Sequence, residues 1–131
     1  MKEFRNPQEI HPPVGSYSHQ VEIRGNERLL VISGQVGMRK DGSVPEDPLE
    51  QIQAAFENIV QNLLAANMEI KDIIKLTYFL VGEVDTEKWR EVVQSILQEH
   101  QPCSTLLYVA GLASPAYKVE IEAWASRKVG K

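Results

Sequence analysis

The stretch "IIKLTYFLV", Ile73 to Val81, decides the fold. It is rich in β-branched and aromatic residues and nearly continuous in hydrophobicity, as expected of a central strand covered on both faces. "RLLVIS" (Arg28 to Ser33) and "TLLYVA" (Thr105 to Ala110) share that character. Between these runs lie two amphipathic helical patterns. Asp47 stands as an N-cap, with Pro48 at N1 and Glu50 at N3, because a carboxylate and a missing N–H both suit the unpaired first turn of a helix. Leu49, Ile52, Phe56, Ile59, Leu63 and Ala66 follow at helical spacing to about Asn67. Asp85 or Thr86 opens a second helix with the stripe Trp89, Val92, Val93, Ile96 and Leu97, and it should stop before Pro102.

Outward from the centre, "QVEIR" (Gln20 to Arg24) alternates, and with "RLLVIS" it predicts a hairpin turning at Gly25-Asn26. "SGQVGMRKDGSVPED" then suits a long irregular connection or a short strand with a tight turn at Asp41-Gly42. Near the end, "KVEIEAWA" alternates, with Val119, Ile121 and Ala123 on one face and Lys118, Glu120, Glu122 and Trp124 on the other. The expected order is strand, strand, helix, strand, helix, strand, strand. That is an α+β fold, a mixed sheet with two helices on one face, in a single domain spanning 1–131. Two helices cover one face only, so the other must be buried against something else. A second copy of the chain is the simplest cover, with loops as the alternative, and a homo-oligomer is therefore expected.

Composition narrows the function classes. Across 131 residues the formal charge is −4, which disfavours nucleic acid as a partner because phosphate binding is driven by clustered Lys and Arg. A single cysteine, Cys103, excludes an internal disulfide and fits a reducing compartment. No run approaches the roughly 18 apolar residues of a membrane span and the first residues form no apolar leader, so no membrane partner is expected and the cytoplasm is the expected location. His11, His19, His100 and Cys103 show none of the paired spacings of a metal site, so no metal is expected. His100, at the end of the second helix, suits the negative end of the helix dipole. "SGQVGMRKDG" contains neither phosphate-binding glycine pattern, and no cofactor is expected.

Three residue types invite chemistry. Cys103 could act as a nucleophile with His19 or His100 as its base, but a free cysteine without a surrounding signature is more often a small buried hydrophobe. Ser33 and Ser104 stand in no nucleophile-elbow context. Glu120 lies mid-strand opposite Val119 and Ile121. It is either a partly buried acid/base influenced by Lys118 and Glu122 or part of a solvated edge face.

With those residues in view, the chain resembles the Rid/YjgF family, the reactive intermediate deaminases also labelled endoribonuclease L-PSP. The resemblance rests on "GSYSH" (Gly15 to His19), "VISGQVG" (Val31 to Gly37), "QIQAAFENIVQNLLAAN" (Gln51 to Asn67), "DIIKLTYFLV" (Asp72 to Val81) and "KVEIEAWA", in this order and at these separations. It implies a chorismate-mutase-like fold assembled as a homotrimer whose central barrel buries the second face of the sheet. It also implies small-molecule sites in the clefts between subunits, where imine and enamine by-products of amino-acid enzymes are hydrolysed to ketoacids and ammonia. Carried over by residue, Tyr17 would line the cleft, Ser33 and Gly34 would contribute to its wall, and Glu120 would position or activate the water.

"QPCSTLLYVAGL" (Gln101 to Leu112) departs from this pattern. The best-studied deaminases place there an arginine that grips the substrate carboxylate by a bidentate pair, a role neutral residues do not reproduce. Here Cys103 or Ser104 stands at that place, and the chain looks like an arginine-lacking branch of the family. Loss of such a contact costs on the order of 1.5–3 kcal/mol. The cleft should then suit a neutral or amine-bearing molecule, either turned over with Glu120 or held without catalysis by a regulatory trimer. The RNA-cleaving activity in the family's label fits the acidic charge poorly.

Overall fold

The computed structural model describes residues 1–130. Its elements are β1 (Lys2–Arg5), β2 (Gln20–Ile23), β3 (Glu27–Val36), α1 (Pro48–Ala65), β4 (Ile73–Leu80), α2 (Thr86–Leu97), β5 (Cys103–Tyr108) and β6 (Val119–Lys128), with a 3-10 turn at Ile70–Asp72 before β4. Four strands form the main sheet in the order β3-β6-β4-β5. The β4 and β5 strands run parallel, joined across α2, while β6 is antiparallel to both of its neighbours. This is the mixed α+β sheet the sequence predicts. The central place of "IIKLTYFLV" is also observed.

Both helices start where their caps place them. Asp47 accepts a hydrogen bond from the Leu49 amide at 3.0 Å, and Asp85 accepts from Glu87 and Lys88 at 3.1 and 3.2 Å. Asn67, in the left-handed region at φ 57°, ends α1, and the Met68 and Asn67 amides donate to the Leu63 and Leu64 carbonyls. The two helices cover the same sheet face. An aromatic series shows it: Phe56 of α1 lies 6.1 Å from Tyr78 of β4, which stands edge-to-face with Trp89 of α2 at 5.2 Å between ring centroids.

Two expectations need correction. The Gly25-Asn26 turn exists, with Gly25 at φ 80°, but β2 and β3 do not pair as a hairpin. Instead β2 pairs with β1 in a separate ribbon, and β3 pairs with β6. The N-terminal segment takes the edge a hairpin would use: Arg24 donates its amide to the Met1 carbonyl at 2.8 Å, and Arg5 bridges Glu3 and Glu22 across the ribbon. The second correction is His100. Its Nε2–H donates to the Ile73 carbonyl at 2.7 Å and its ring stands edge-on to Phe4, so it joins the ribbon to the start of β4 rather than simply facing the end of α2.

The helix-covered face is the core: Ile32, Leu76, Tyr78, Leu80, Ile121 and Ala123 are all buried beneath α1 and α2. Gln51, also buried, holds α1 to two loops. It donates to the Pro45 and Ala116 carbonyls at 2.8 and 3.0 Å and accepts from the Lys118 amide at 2.8 Å, so its amide oxygen and nitrogen are both satisfied. The opposite face has no helix over it.

Candidate functional site

Strand register sets which candidate residues can meet. Thr77 of β4 faces Glu122 of β6 and Thr105 of β5, while Phe79 faces Glu120 and Leu107, so these residues share the face without helices. Lys75 and Cys103 are paired on that same face, two residues earlier along β4 and β5. Ser104 pairs with Leu76 and belongs to the helix side. The two residues that the sequence offers at the departed arginine's place therefore point to opposite faces of the sheet.

Glu120 is half-buried and packs directly on Gly34. A Cβ at Gly34 would lie 2.0 Å from Glu120 Oε2, so only a glycine leaves room for this carboxylate. The room comes from β3 itself. Its pairing with β6 shifts between Ile32 and Gln35, an irregularity that carries Ser33 and Gly34 past the glutamate. Ser33 is exposed, and its carbonyl accepts from the Gln35 side chain at 2.9 Å. Glu120, Gly34 and Ser33 thus form one group on the uncovered face.

Cys103 stands apart from that group. It pairs with Lys75, four residues along β4 from Phe79, which is about 13 Å at a rise of roughly 3.3 Å per residue. Burial pushes the Cys103 thiol up from its ordinary range, and the nearby Lys75 ammonium opposes the shift only partly. The thiol is therefore protonated near neutrality, which favours packing over nucleophilic attack.

Tyr17 forms a third group with Ser104. The "GSYSH" segment is tied to the chain entering β5, because the Ser18 hydroxyl donates to the Gln101 carbonyl at 2.7 Å and the Ser18 amide to the Pro102 carbonyl at 3.3 Å. Two stretches that the sequence singled out separately are thereby brought into contact. Tyr17 and Ser104 line a cavity of about 530 Å³ between α2 and the β5 edge, together with Trp89, Arg90 and Leu106. Sequence reasoning read Trp89 as helix stripe and Arg90 as surface, since only the fold folds that part of α2 over β5. Glu120 does not line this cavity.

Comparison with known proteins adds a decisive observation. The sequence pattern described as Endoribonuclease L-PSP matches residues 8–127. The chain belongs to this family, that of the Rid/YjgF proteins. Among relatives of the Rid family, the 2-iminobutanoate/2-iminopropanoate deaminase of Mus musculus is 31% identical over 112 residues, covering 84% of this chain and 80% of that protein. The crystal structure of the Rid-family protein YyfB from Yersinia pestis superposes with a TM-score of 0.81 at 27% identity, over 95% of this chain and 97% of that one. Escherichia coli TdcF, solved with bound serine, superposes with a TM-score of 0.69 at 29% identity, over 96% and 99% of the two chains. These Rid-family structures share the fold described above. Among the described residues no helix is long and apolar enough to cross a membrane.

Proposed function

We propose that this protein is a cytoplasmic homotrimer that binds a small metabolite in clefts between its subunits and hydrolyses imine or enamine intermediates there, using Glu120. The observation that carries the reading is the Glu120 carboxylate set against Gly34 on a sheet face that the chain leaves uncovered. Within one protomer Tyr17 and Ser104 lie toward the helices and Glu120 toward the open face, so a cleft that uses all of them draws them from neighbouring subunits. The deaminase name of the mouse relative and the serine bound to TdcF support a small amino-acid-derived ligand.

The chemistry requires little machinery. Glu120 accepts a proton from water as its oxygen adds to the C=N carbon, and the resulting carbinolamine collapses as the nitrogen, protonated, leaves as ammonia and a carbonyl forms. No guanidinium stands in "QPCST" to hold a substrate carboxylate, so the Glu120 cleft is suited to neutral or amine-bearing substrates.

The test generates imines in situ from several amino acids and from their amides with an oxidase, then follows their decay with and without the protein. Accelerated decay that is lost in Glu120→Gln supports the reading. Acceleration unchanged by Glu120→Gln removes the catalytic role, and binding without any consumption of imine replaces the enzyme with a ligand-binding, regulatory trimer. Cleavage of RNA that disappears in Glu120→Gln would instead restore the activity in the family's label.

A further inference from the structure

The cavity between α2 and β5 has a chemistry of its own. Although the chain carries 18 Asp and Glu against 14 Lys and Arg, none of the residues lining this cavity is acidic. Its polar wall holds Arg90, His100 and the glutamines Gln94 and Gln98. None of the ion pairs among the described residues involves Arg90, which leaves its guanidinium available to an outside anion. His100 spends its Nε2–H on the Ile73 carbonyl, so only its Nδ1 can serve a ligand.

The opposite wall is apolar and rigid. Trp89, Tyr78, Val93, Leu97 and Leu106 form it, with Tyr78 and Leu97 buried in the protein core. Trp89 Nε1 is the one buried side-chain nitrogen or oxygen among the described residues without a hydrogen-bond partner, and it belongs to this wall. A buried donor left without an acceptor is costly, and native proteins seldom keep one without a reason. The volume of about 530 Å³ lies in the ordinary range of small-molecule sites.

We propose that this cavity is a second ligand site, contained within one protomer, that takes a small carboxylate borne on an aromatic or branched apolar body. The apolar body lies against Trp89 and Leu106, and the carboxylate meets the Arg90 guanidinium at the rim. A guanidinium matches a carboxylate by a paired, charge-assisted contact, which distinguishes this site from a merely greasy one. Because Glu120 faces the other side of the sheet, binding here stands independently of hydrolysis in the Glu120 cleft.

Phenylacetate and phenylacetamide, alike in shape and different in charge, are suitable probes. The chain has two tryptophans, so its indole N–H signals in a nitrogen–proton spectrum are few, and Trp89→Phe assigns the one that belongs to the cavity. Titration with phenylacetate should move the Trp89 signal, with phenylacetamide binding roughly tenfold more weakly, as expected for loss of a charge-assisted contact. Arg90→Gln should weaken phenylacetate by a similar factor and leave phenylacetamide unchanged, while Arg90→Lys should restore part of the difference. Arg90 is exposed, so these variants retain the fold, and a one-dimensional spectrum checks it. Glu120→Gln should change neither titration. A Trp89 signal that does not move with millimolar phenylacetate overturns the site. Equal binding of the two probes, or no effect of Arg90→Gln, overturns the anion assignment and leaves an apolar cavity only. Loss of binding in Glu120→Gln would place the ligand in the other cleft and overturn the proposal as well.

Discussion

The two faces of one sheet are built from alternate residues of the same strands, yet they have opposite characters. Along β6, Val119, Ile121, Ala123 and Ala125 are fully buried under the helices, whereas Trp124, between two of them, is 39% exposed. On β3 the contrast is sharper: Ile32 is buried while its neighbour Val31, 56% exposed, and Leu29, 59% exposed, face outward. An apolar row of this kind, Leu29, Val31, Trp124 and Leu107, is unusual on a surface that meets only water. Mixed among it are Glu120, Glu122, Lys75 and Thr77. The helix side is thus a closed core that sets stability, and the open side carries the acid and the surface on which copies would assemble.

The largest effect expected from this contrast is on stability. Ile121→Ala removes a fully buried side chain from the helix face and should cost about 2–5 kcal/mol in denaturant unfolding. Val31→Ala, one strand away on the open face, should cost well under half of that when measured on dissociated protein. Equal costs for the two would mean that the faces are not energetically distinct.

Two glycines sharpen the same comparison. A Cβ at Gly37 would stand 2.5 Å from Gln51 Cα and 2.7 Å from its carbonyl oxygen, so β3 and α1 would have to separate. Gly37→Ala should therefore lose on the order of 1–3 kcal/mol of stability. At Gly34 the new methyl group would meet only the Glu120 side chain, which can swing away. Gly34→Ala should keep most of the stability and lose imine turnover as fully as Glu120→Gln does. Thermal melts beside the imine assay separate these outcomes, and turnover retained in Gly34→Ala would show that the Glu120 position on Gly34 is not the productive one.

The helices were legible in the sequence because their signals are local: Asp47 and Asp85 as caps, and apolar residues three and four apart. The alternation of β6 was legible for the same reason. The pairing of β3 was not, since β3 joins a strand about ninety residues away by a roughly antiparallel register that no turn signal announces. Nor was β1, whose four residues "KEFR" are too few to show a period. Glu120 could be picked out as an acid in the middle of a strand, but its seat on Gly34 depends on a shift in the pairing of another strand. Gln51 looked like a polar interruption in an apolar stripe, because its partners, Pro45, Ala116 and Lys118, lie in distant loops. The cavity escaped the sequence for a related reason: Tyr17, Trp89 and Ser104 come from three separate elements.

Assembly offers the next test. Trp124→Glu places a charge amid the apolar row of the open face, opposite Val31 and Lys75, without touching the buried core. Light scattering should show the wild type at three times the chain mass and the variant at 14.8 kDa, with its circular dichroism retained. Burying an unpaired carboxylate in an interface is costly enough to dissociate it. A wild-type protein at 14.8 kDa would leave the open face to water and remove the intersubunit cleft.

The smallest effect concerns Cys103, which lies on the open face beside Lys75. Burial raises its thiol above the ordinary value of 9.0, and Lys75 pulls it back only in part. The reacting species is the thiolate, so a raised value means slow alkylation at neutral pH and a rate that climbs only on the alkaline side. Iodoacetamide should accordingly label the folded protein more slowly at pH 7.5 than the same chain unfolded in urea. Lys75→Ala removes the opposing charge and should slow labelling somewhat further, while leaving the fold intact because Lys75 is only half-buried. If Lys75→Ala speeds labelling instead, relief of steric cover by the Lys75 side chain outweighs its charge, and shielding rather than proton affinity is what keeps this thiol quiet. If the folded wild type reacts faster than the unfolded chain, Cys103 is an activated thiol, and the open face carries a nucleophile beside its carboxylate.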